Sequence, residues 1–509
     1  MLNSSYQPSY QPFDTYQYQP QPILQLPKPS IESAPVVSSQ LSAFRLGGPV
    51  DLFSRNYIGY LLNWVLIGFF NGAIPALVYS LFGVYLHLQA YQGNAAVALL
   101  EFAWNFKFIF SFLTDGAPIN RYRRKPYMFI GWGILTVLLL VFAFRPQMEP
   151  YKRYGVIVNR DAESKGPHYV IPLIITSLAR IMVITACEGM MFEVAHREWE
   201  LERGRTQSIS MMARGVGQVL GIILVAFGSF GPDFGGTYTH SLSLRAMFSI
   251  WTLVALTGMV VTKFLLSEEP IASSAQPFAS QMHRIWRIVQ HRTTWQIMLF
   301  GLFQNAVMTL KYHEKDAFYR IRLGATPLSL NMSDAVGTVG SVAAACLLIQ
   351  FWLNTNWRKL MLWSLMAVAF TRELVIIEIA APGHLAATFG IITTVHYLGK
   401  PFATRLNVLL STNHVDVEQD TNEEGLEIAT EMWIIFTIRI VVLLAIVRLL
   451  PRQKRHALER KLRSDPNLVI PLVMFICVVL VFGTVVTSSV LAIIPSTSCL
   501  TFAGGDGCV

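Results

Sequence analysis

Ionisable side chains within an otherwise apolar stretch are the first feature of this chain that could carry out chemistry. They recur with an aromatic ring at steps of three and four residues: Glu101, Trp104, Lys107 (or Phe108), Ser111 and Asp115. Residues at this spacing lie on one face of an α-helix. A charge inside a membrane span costs at least a few kcal/mol, so we expect this face to contact protein or water. Glu101 is then a candidate for carrying a proton, and Trp104 for stacking on a flat aromatic ring.

Two further apolar stretches also contain charged residues. Arg180 and Glu188 are eight residues apart and therefore lie on one helix face. Arg180 could hold a substrate carboxylate and Glu188 could carry a proton, since charges inside a membrane tend to be functional; the alternative is an ion-pair network that fixes packing. Arg214 is a second candidate for binding a carboxylate, with snorkelling to the membrane surface as its alternative. Lys107 lies too deep for snorkelling, and we expect it to bind substrate or to take part in coupling.

A basic turn follows the first of these stretches. It contains Arg123, Arg124 and Lys125, and Asp115 stands where the preceding helix should end. A carboxylate beside guanidinium groups forms charge-assisted hydrogen bonds. We therefore expect these four residues to hold two helices together on the cytoplasmic side, as a gate that must open when the protein opens inward.

The elements that position these residues follow from composition. Of 509 residues, 14% are charged and 53% are hydrophobic, and the mean hydropathy is +0.44. About twelve apolar stretches of roughly 20 residues lie between Ile58 and the C-terminus, each long enough to cross ~30 Å of hydrocarbon. The chain is therefore expected to be an all-α membrane protein in the lipid bilayer, which excludes a soluble enzyme, a nucleic-acid-binding protein and a β-barrel. The net charge of +9 is attributed to cytoplasmic loops rich in Lys and Arg.

Five segments follow from this pattern. They are a disordered, cytoplasmic Tyr/Gln/Pro-rich tail (1–50), an N-terminal six-helix bundle (51–266), a cytoplasmic central loop (267–293), a C-terminal helical bundle (294–495) and a tail (496–509). Six spans, a loop and six spans is the arrangement of a two-bundle transporter. The five cysteines form no metal-binding or redox pattern, so no metal and no cofactor are expected. Cys499 and Cys508 could pair if the tail faces an oxidising compartment.

Loop charge conflicts with a simple count of these spans. Basic loops lie on the cytoplasmic side, yet counting from the basic turn places the acidic loop 416–431 inside and the basic loop 452–463 outside. Each half contains a basic turn followed by a Glu-x-Ala turn. The two turns are 193 − 125 = 68 residues apart in the first half and 378 − 359 = 19 residues apart in the second. We therefore expect the second half to lack about one crossing near 359–379, which would put the acidic loop outside, the basic loop inside and the C-terminal tail outside. The alternative is chance resemblance between two short turns.

Several motifs make a family resemblance visible. The first has a Trp-x-x-Lys pair, an Asp followed by Pro-Ile, and Tyr-Arg-Arg-Lys-Pro-Tyr before a Gly: Trp104, Lys107, Asp115, Pro118, Ile119, Tyr122–Tyr127 and Gly131. It resembles the folate–biopterin transporter family of the major facilitator superfamily. Further segments resemble family positions: Glu193–Glu198, Arg203–Gln207, Gln304–Ala306, Asn356–Lys359, Gly390–Thr394, Pro401–Phe402, Leu450–Lys454 and Ser496–Cys508. The family commonly has two acidic residues four positions apart in its fourth helix; here Glu188 is present and Ile184 takes the other place.

The resemblance implies a two-bundle transporter of the major facilitator type with about twelve transmembrane helices. It implies a pterin-like organic anion, folate or biopterin, as the small-molecule substrate, protons as the coupling ion, and transport by alternating access. A transporter of another small organic solute and a transport-incompetent relative acting as a scaffold or receptor are the alternatives. An integral-membrane enzyme is disfavoured because His196 near Glu193 lacks a convincing catalytic partner. We expect no nucleic-acid partner and, by default, a multi-pass protein of the plasma membrane.

Overall fold

Long apolar helices form most of the structure. The computed structural model describes residues 43–45, 47–88, 90–234, 236, 238, 241–271, 278–310, 326–359, 384–400, 403, 422–454, 456–457, 466–494 and 496–503. In the first half these residues form α1 (Ile58–Tyr79), α2 (Ala90–Phe102), α3 (Lys107–Gly116), α4 (Lys125–Phe144), α5 (Pro167–Ala195), α6 (Arg205–Gly228) and α7 (Leu244–Phe264). A 3₁₀ turn, Ala103–Phe106, joins α2 directly to α3. A hairpin of β1 (Lys152–Arg153) and β2 (Val156–Ile157) lies between α4 and α5.

The described part of the second half is also helical. It contains α8 (Phe278–Gln290), α9 (Arg292–Thr309), α10 (Pro327–Leu347), α11 (Leu385–Tyr397), α12 (Asn422–Ile446) and α13 (Val469–Ile493). α8 is the basic amphipathic piece of the central loop, and its buried face consists of Gln281, Ile285 and Val289. α8 therefore packs against the ends of the spans instead of crossing the membrane.

Eight segments of the described residues are long and apolar enough to cross a membrane. They are Ile58–Tyr85, Ala95–Gly116, Lys125–Phe144, Pro167–Ala195, Arg205–Gly228, Leu244–Phe264, Pro327–Trp352 and Val469–Ile493. Each contains at least 20 residues. At 1.5 Å per residue, a helix of this length is long enough to cross ~30 Å of hydrocarbon. The prediction of an all-α, multi-pass membrane protein is confirmed.

Local sequence fixes several helix ends. Proline stands in the first turn of α4, α5 and α10, where its missing N–H is no loss. The side chain of Ser243 accepts a hydrogen bond from Ala246 N at 3.2 Å, and Thr326 accepts one from Ser329 N at 3.2 Å. These are N-caps that satisfy otherwise unpaired backbone donors. The residues at the N-caps of α4 and α11 make no such bond, so both helices depend on other parts of the chain.

Glycines allow α1 and α6 to pack closely. A Cβ atom at Gly217 would lie 1.8 Å from Val65 O, and one at Gly221 would lie 2.1 Å from Phe69 O. A Cβ atom at Gly68, on α1, would lie 1.9 Å from Arg214 O. Any larger residue at these positions would push the two backbones apart. Small residues therefore set the distance between these two helices of the N-terminal bundle, as is common in membranes.

Basic segments from both halves meet at one end of the structure. Hydrogen bonds join the loops there: Trp357 N to Arg452 O (2.9 Å), Lys454 Nζ to Glu200 O (2.7 Å) and Asn467 N to Gln290 O (2.9 Å). The turn 121–125 lies at the same end, since Glu268 accepts from Arg123 N and the adjacent Glu269 pairs with Arg197. Because loops rich in Lys and Arg lie inside, this is the end that the sequence predicts to be cytoplasmic, and we call it the cytoplasmic end. The loop contacts thus agree with the orientation that the charges favour.

The last helix runs away from the cytoplasmic end. In its last turn Ala492 packs against Ala95 at the start of the second span, and Cys499, beyond the helix, is disulfide-bonded. The chain on both sides of residues 360–383 lies at the cytoplasmic end, because Arg358 donates to Leu450 O at 2.7 Å and His384 lies 3.4 Å from Arg284. The expected missing crossing near 359–379 falls on residues 360–383, outside the described part of the chain.

Epitope tags at two positions should report opposite sides of the membrane. A tag inserted in the basic loop 452–463 should face the cytosol, whereas a tag appended after Val509 should face the other side, because α13 lies between them. Antibody access before and after selective permeabilisation measures this directly. A tag at the N-terminus is the control and should behave like the loop tag, since Arg45 N bonds to His196 O at 2.9 Å. Equal access to the loop tag and the C-terminal tag would contradict the path of α13.

Candidate functional site

The helix face predicted between Glu101 and Asp115 is the face that contacts the second half. Along it each residue meets a residue in or next to α11, and the two segments run antiparallel. The pairs are Glu101 with Lys400, Trp104 with Tyr397, Lys107 with Phe389, Ser111 with Gly390 and Asp115 with Ala387. We call this contact the inter-bundle seam. At 1.5 Å per residue it is about 20 Å long, most of the thickness of the hydrocarbon core.

The middle of the seam contains a buried ion pair. Lys107 Nζ lies 2.6 Å from Glu188 Oε2 and 2.8 Å from Glu188 Oε1, and the two side chains are 1% and 4% exposed. Lys107 Nζ also lies 4.3 Å from the ring centroid of Phe389. Removing either partner would leave the other as an isolated buried charge, which is strongly destabilising. Two of the sequence-predicted residues thus form one unit, which also touches α11.

Trp104 stands beside this ion pair and close to two cations. Its ring centroid is 5.6 Å from Lys107 Nζ and 5.6 Å from Arg180 Cζ, and it stacks on Tyr397 at 4.6 Å with an interplanar angle of 27°. Arg180 Nη1 donates to Asn71 Oδ1 at 2.5 Å. Two stacked rings and two cations therefore lie together at the level of the membrane interior. This combination suits a flat, anionic ring system.

The 3₁₀ turn before α3 explains why Trp104 and Lys107 meet. A 3₁₀ helix has three residues per turn, so side chains at i and i+3 eclipse one another. Trp104 lies within the turn Ala103–Phe106 and Lys107 follows it directly. The turn thus places the ammonium group beside the indole ring. In an α-helix, with 3.6 residues per turn, the two side chains would not be aligned in this way.

At the cytoplasmic end of the seam, Arg124 holds Asp115. The Arg124 guanidinium donates to Asp115 Oδ1 at 2.5 Å, to Thr114 Oγ1 at 2.7 Å and to Glu193 Oε1 at 3.0 Å. Arg124 is 1% exposed. Burial lowers the pKa of Arg124, but Asp115 and Glu193 raise it more, and the net shift is upward. Arg124 therefore remains charged and fixes the Asp115 side chain.

The second oxygen of Asp115 reaches across the seam. Asp115 Oδ2 accepts from Ala387 N at 2.7 Å, and Ala387 is the third residue of α11. A capping side chain normally satisfies the N–H of that position, and a negative charge there also interacts favourably with the helix dipole. His384, at the N-cap of α11, supplies no side-chain cap. Asp115 thus caps a helix of the other half, and we call Asp115, Arg124 and the Ala387 N–H the cytoplasmic latch.

Glu268 provides a similar cap for α4. Its carboxylate accepts from the backbone N atoms of Arg123, Arg124 and Lys125 at 2.9, 2.9 and 2.7 Å. Burial raises the pKa of Glu268 above its usual value although these hydrogen bonds oppose the rise. Lys125 Nζ donates to Leu266 O at 2.8 Å. Of the three basic residues predicted to contact Asp115, only Arg124 does so in the described structure, while Arg123 and Lys125 bind the segment after α7.

Two candidates from the sequence make no described hydrogen bond or ion pair with the central cluster, although both are close enough to Arg180 to interact with it. Arg214 makes one polar side-chain contact among those described, to Met211 Sδ at 4.0 Å. Glu101 pairs with Lys400 at 3.1 Å instead of joining Glu188. Sequence reasoning missed Asn71, Phe389, Tyr397, Lys400 and Glu268. Of these, Tyr397 and Lys400 have helical spacing, which could have suggested a matching face on the second half.

Metal chemistry finds no support in the described residues. No group of three or more His, Cys, Asp or Glu side chains there could hold a metal ion.

Residues 68–403 match the model of the BT1 family. A protein of Arabidopsis thaliana named probable folate-biopterin transporter 5 is 22% identical over 290 residues, which are 56% of this chain and 53% of that protein. The folate-biopterin transporter of Synechocystis sp. is 26% identical over 276 residues, which are 53% of this chain and 49% of that protein. The chain thus spans about half the length of the curated relatives that it matches. Their names confirm the resemblance seen in the motifs and agree with the prediction that the chain is not an enzyme.

Among solved structures, the chain is similar to the proton:xylose symporter XylE of the major facilitator superfamily, bound to 6-bromo-6-deoxy-D-glucose. The TM-score is 0.53 and the identity 15%, and the match covers 81% of this chain and 98% of that one. At this identity the likeness shows the fold alone. The prediction of a two-bundle fold of the major facilitator type is confirmed.

Proposed function

The chain belongs to the BT1 family, and on that premise we propose that it is a secondary active transporter of a pterin-like organic anion, folate or biopterin. Protons accompany the substrate, and the two bundles alternate access to a site at the seam. One observation carries the proposal: Trp104, Lys107 and Arg180 of the first half meet Phe389 and Tyr397 of the second half in the membrane interior. A ligand bound there contacts both bundles.

Substrate recognition follows from the chemistry of this cluster. A pterin is a flat heteroaromatic ring, and such a ring stacks on Trp104 or Tyr397 by the offset geometry that aromatic pairs prefer. Arg180 offers a planar fork of N–H donors that fits a carboxylate. Its present partner, the Asn71 side chain, is neutral, so a substrate carboxylate can replace it with a gain in charge pairing.

Coupling to protons is assigned to Glu188 and Lys107. Protonation of Glu188 would remove the carboxylate charge that holds Lys107 and would free the ammonium group for an anionic substrate. The position that Ile184 occupies is apolar and buried, so Glu188 acts without a second carboxylate one turn away. A single ion pair is sufficient for this exchange because both partners are buried in the same cluster.

The cytoplasmic latch supplies the gate. While Asp115 caps α11, the first and second halves remain joined at the cytoplasmic end. Lys454 adds a second contact between the halves by donating to Glu200 O at 2.7 Å. Opening toward the cytosol requires both contacts to break, whereas opening toward the other side leaves them intact.

Uptake measurements with a matched pair of tryptophan variants test the proposal. In cells that lack other uptake routes, the chain should confer saturable uptake of labelled folic acid or biopterin that increases in acidic medium. Trp104→Ala should lower the uptake efficiency at least about tenfold, because an aromatic stack and its burial together contribute more than about 1.4 kcal/mol. Trp433→Ala is the control, since Trp433 is 68% exposed on α12, and it should change uptake less than twofold by the small effect of surface substitutions. Absence of saturable uptake of both compounds would refute the assignment of the substrate.

A further inference from the structure

The inter-bundle seam contains a second ion pair that the proposed mechanism does not use. Glu101 Oε1 on α2 lies 3.1 Å from Nζ of Lys400, which follows α11. The side chains of Glu101 and Lys400 are 48% and 37% exposed, whereas those of Lys107 and Glu188 are 1% and 4% exposed. The seam is thus accessible at Glu101 and closed at its centre.

This ion pair lies on the open side of the ring cluster. Glu101 precedes Trp104 by three residues and Lys400 follows Tyr397 by three residues, which is about one helical turn in each case. The two rings stack on one another at 4.6 Å. A ligand that approaches from the side opposite to the cytoplasmic latch therefore meets Glu101 and Lys400 before it meets the rings.

The electrostatic surroundings make this pair exchangeable. A partly exposed ion pair contributes less to stability than a buried one, so Glu101–Lys400 is easier to separate than Lys107–Glu188. Among the described residues, Arg180 on α5 is close enough to interact with Glu101, and Tyr397 is close enough to interact with Lys400. α13 packs on α2, and Cys477 is the one titratable residue in its sequence. Lys400 is thus the cation that pairs with Glu101. A carboxylate of another molecule can take the place of Glu101 at Lys400, and Lys400 then still has one carboxylate partner.

We propose that Lys400 is a specificity-determining residue that binds the carboxylate of the transported anion in exchange for Glu101, and that Glu101 takes up a proton from solvent in that exchange. The inference rests on the proposed function. Before exchange, Lys400 pairs with Glu101; afterwards it pairs with the substrate carboxylate, while Glu101 is neutral. One proton enters with each carboxylate bound, and no net charge is added to the seam.

The exchange separates two classes of ligand. Folic acid carries carboxylates on its glutamate tail, whereas biopterin has the ring and no carboxylate. Only the first class needs Lys400. Folic acid binding should therefore include a pH dependence through Glu101 that biopterin binding lacks.

Calorimetric titration of the purified full-length protein tests this. Lys400→Gln should weaken folic acid binding about tenfold or more, because it removes a hydrogen bond between charged groups. It should change biopterin binding by less than about twofold. Glu101→Gln should lower the number of protons taken up with each folic acid by about one, measured in buffers of different ionisation enthalpy, and should leave the protons taken up through Glu188 unchanged. Lys400→Arg keeps the charge and should retain folic acid binding, which separates loss of the site from loss of folding.

The control uses an ion pair of similar exposure within one bundle. Arg153 Nε lies 2.6 Å from Asp233 Oδ1, and the side chains are 41% and 33% exposed. Arg153→Gln should leave folic acid binding and its proton uptake unchanged. Equal weakening of both ligands by Lys400→Gln, or the same number of protons taken up with folic acid in Glu101→Gln as in the unaltered protein, would overturn the inference while the proposed function stands. Failure of the unaltered protein to bind either ligand would overturn the proposed function and this inference with it.

Discussion

Replacing Asp115 with asparagine should shift the protein toward the state that is open to the cytosol. The variant keeps the shape of the side chain but removes the charge that pairs with buried Arg124 and caps α11. A hydrogen bond to a charged group contributes about 2 kcal/mol, so the ratio of closed to open states should fall about thirtyfold. Arg124 keeps Thr114 and Glu193 as partners, which should preserve the fold.

A cysteine at position 386 reports this shift. Ala386 is 1% exposed in the first turn of α11, so Ala386→Cys should react slowly with a membrane-impermeant thiol reagent applied from the cytosolic side. Adding Asp115→Asn should accelerate the reaction and lower the transport rate. The background chain needs serine at Cys346 and Cys477, which are exposed. Asp233→Asn is the control and should leave the reaction rate unchanged. Equal labelling with and without Asp115→Asn would exclude Asp115 as part of the gate.

The largest loss of stability should follow from replacing Lys107. Lys107→Gln leaves the Glu188 carboxylate buried without its cation, and breaking a buried ion pair in this way costs about 3–5 kcal/mol. We expect a lower melting temperature for the purified protein and no measurable uptake. Both effects follow from one residue because Lys107 is at once a structural partner and a candidate substrate ligand.

The double variant separates these two roles. Lys107→Gln combined with Glu188→Gln removes both charges and allows the amides to bond to each other, so stability should recover by most of that loss. Uptake should remain absent, because neither a cation nor a proton carrier is left at the centre of the seam. If uptake returned together with stability, the pair would serve packing alone.

The predictability of the site differs from residue to residue. The face from Glu101 to Asp115 is readable from the sequence because helical spacing fixes which residues point the same way. The helix that packs on this face is not predictable from the sequence, since periodicity shows which side chains share a face and does not identify the helix that contacts it. Tyr397 and Lys400 are nearly 300 positions away from Trp104 and Glu101 in the sequence, and the two-bundle fold alone brings them together.

Backbone hydrogen bonds explain the partial success at the basic turn. Charge predicts that Asp115 pairs with Arg123, Arg124 or Lys125, and Arg124 is the residue that does so. The backbone N–H groups of all three residues bond to Glu268 at the start of α4. Their side chains differ, because the Arg124 guanidinium reaches Asp115 while Lys125 Nζ donates to Leu266 O. A charge count treats the three residues as equivalent and cannot detect which side chain reaches Asp115.

Loop charge predicts which loops share one side. The basic segment 452–454 lies at the same end as the basic turn 121–125, as loop charge favours, although a count of apolar stretches places the two on opposite sides. Loop charge is stronger evidence here than the number of apolar stretches. Spans that differ in length are easily miscounted, whereas a loop rich in Lys and Arg favours one side of the membrane. The missing crossing on which that count depends stays a prediction.

The capping of α11 by Asp115 links the gate to water. α11 begins with backbone N–H groups that its own N-cap residue does not satisfy, and in the closed state the carboxylate of another bundle bonds to one of them. Once the bundles separate, that donor must find another acceptor, since an unsatisfied N–H is costly. Solvent is the acceptor that the opening itself admits. Hydration of the first turn of α11 is therefore part of opening, and the gate acts as a switch between a protein carboxylate and water as the cap of one helix.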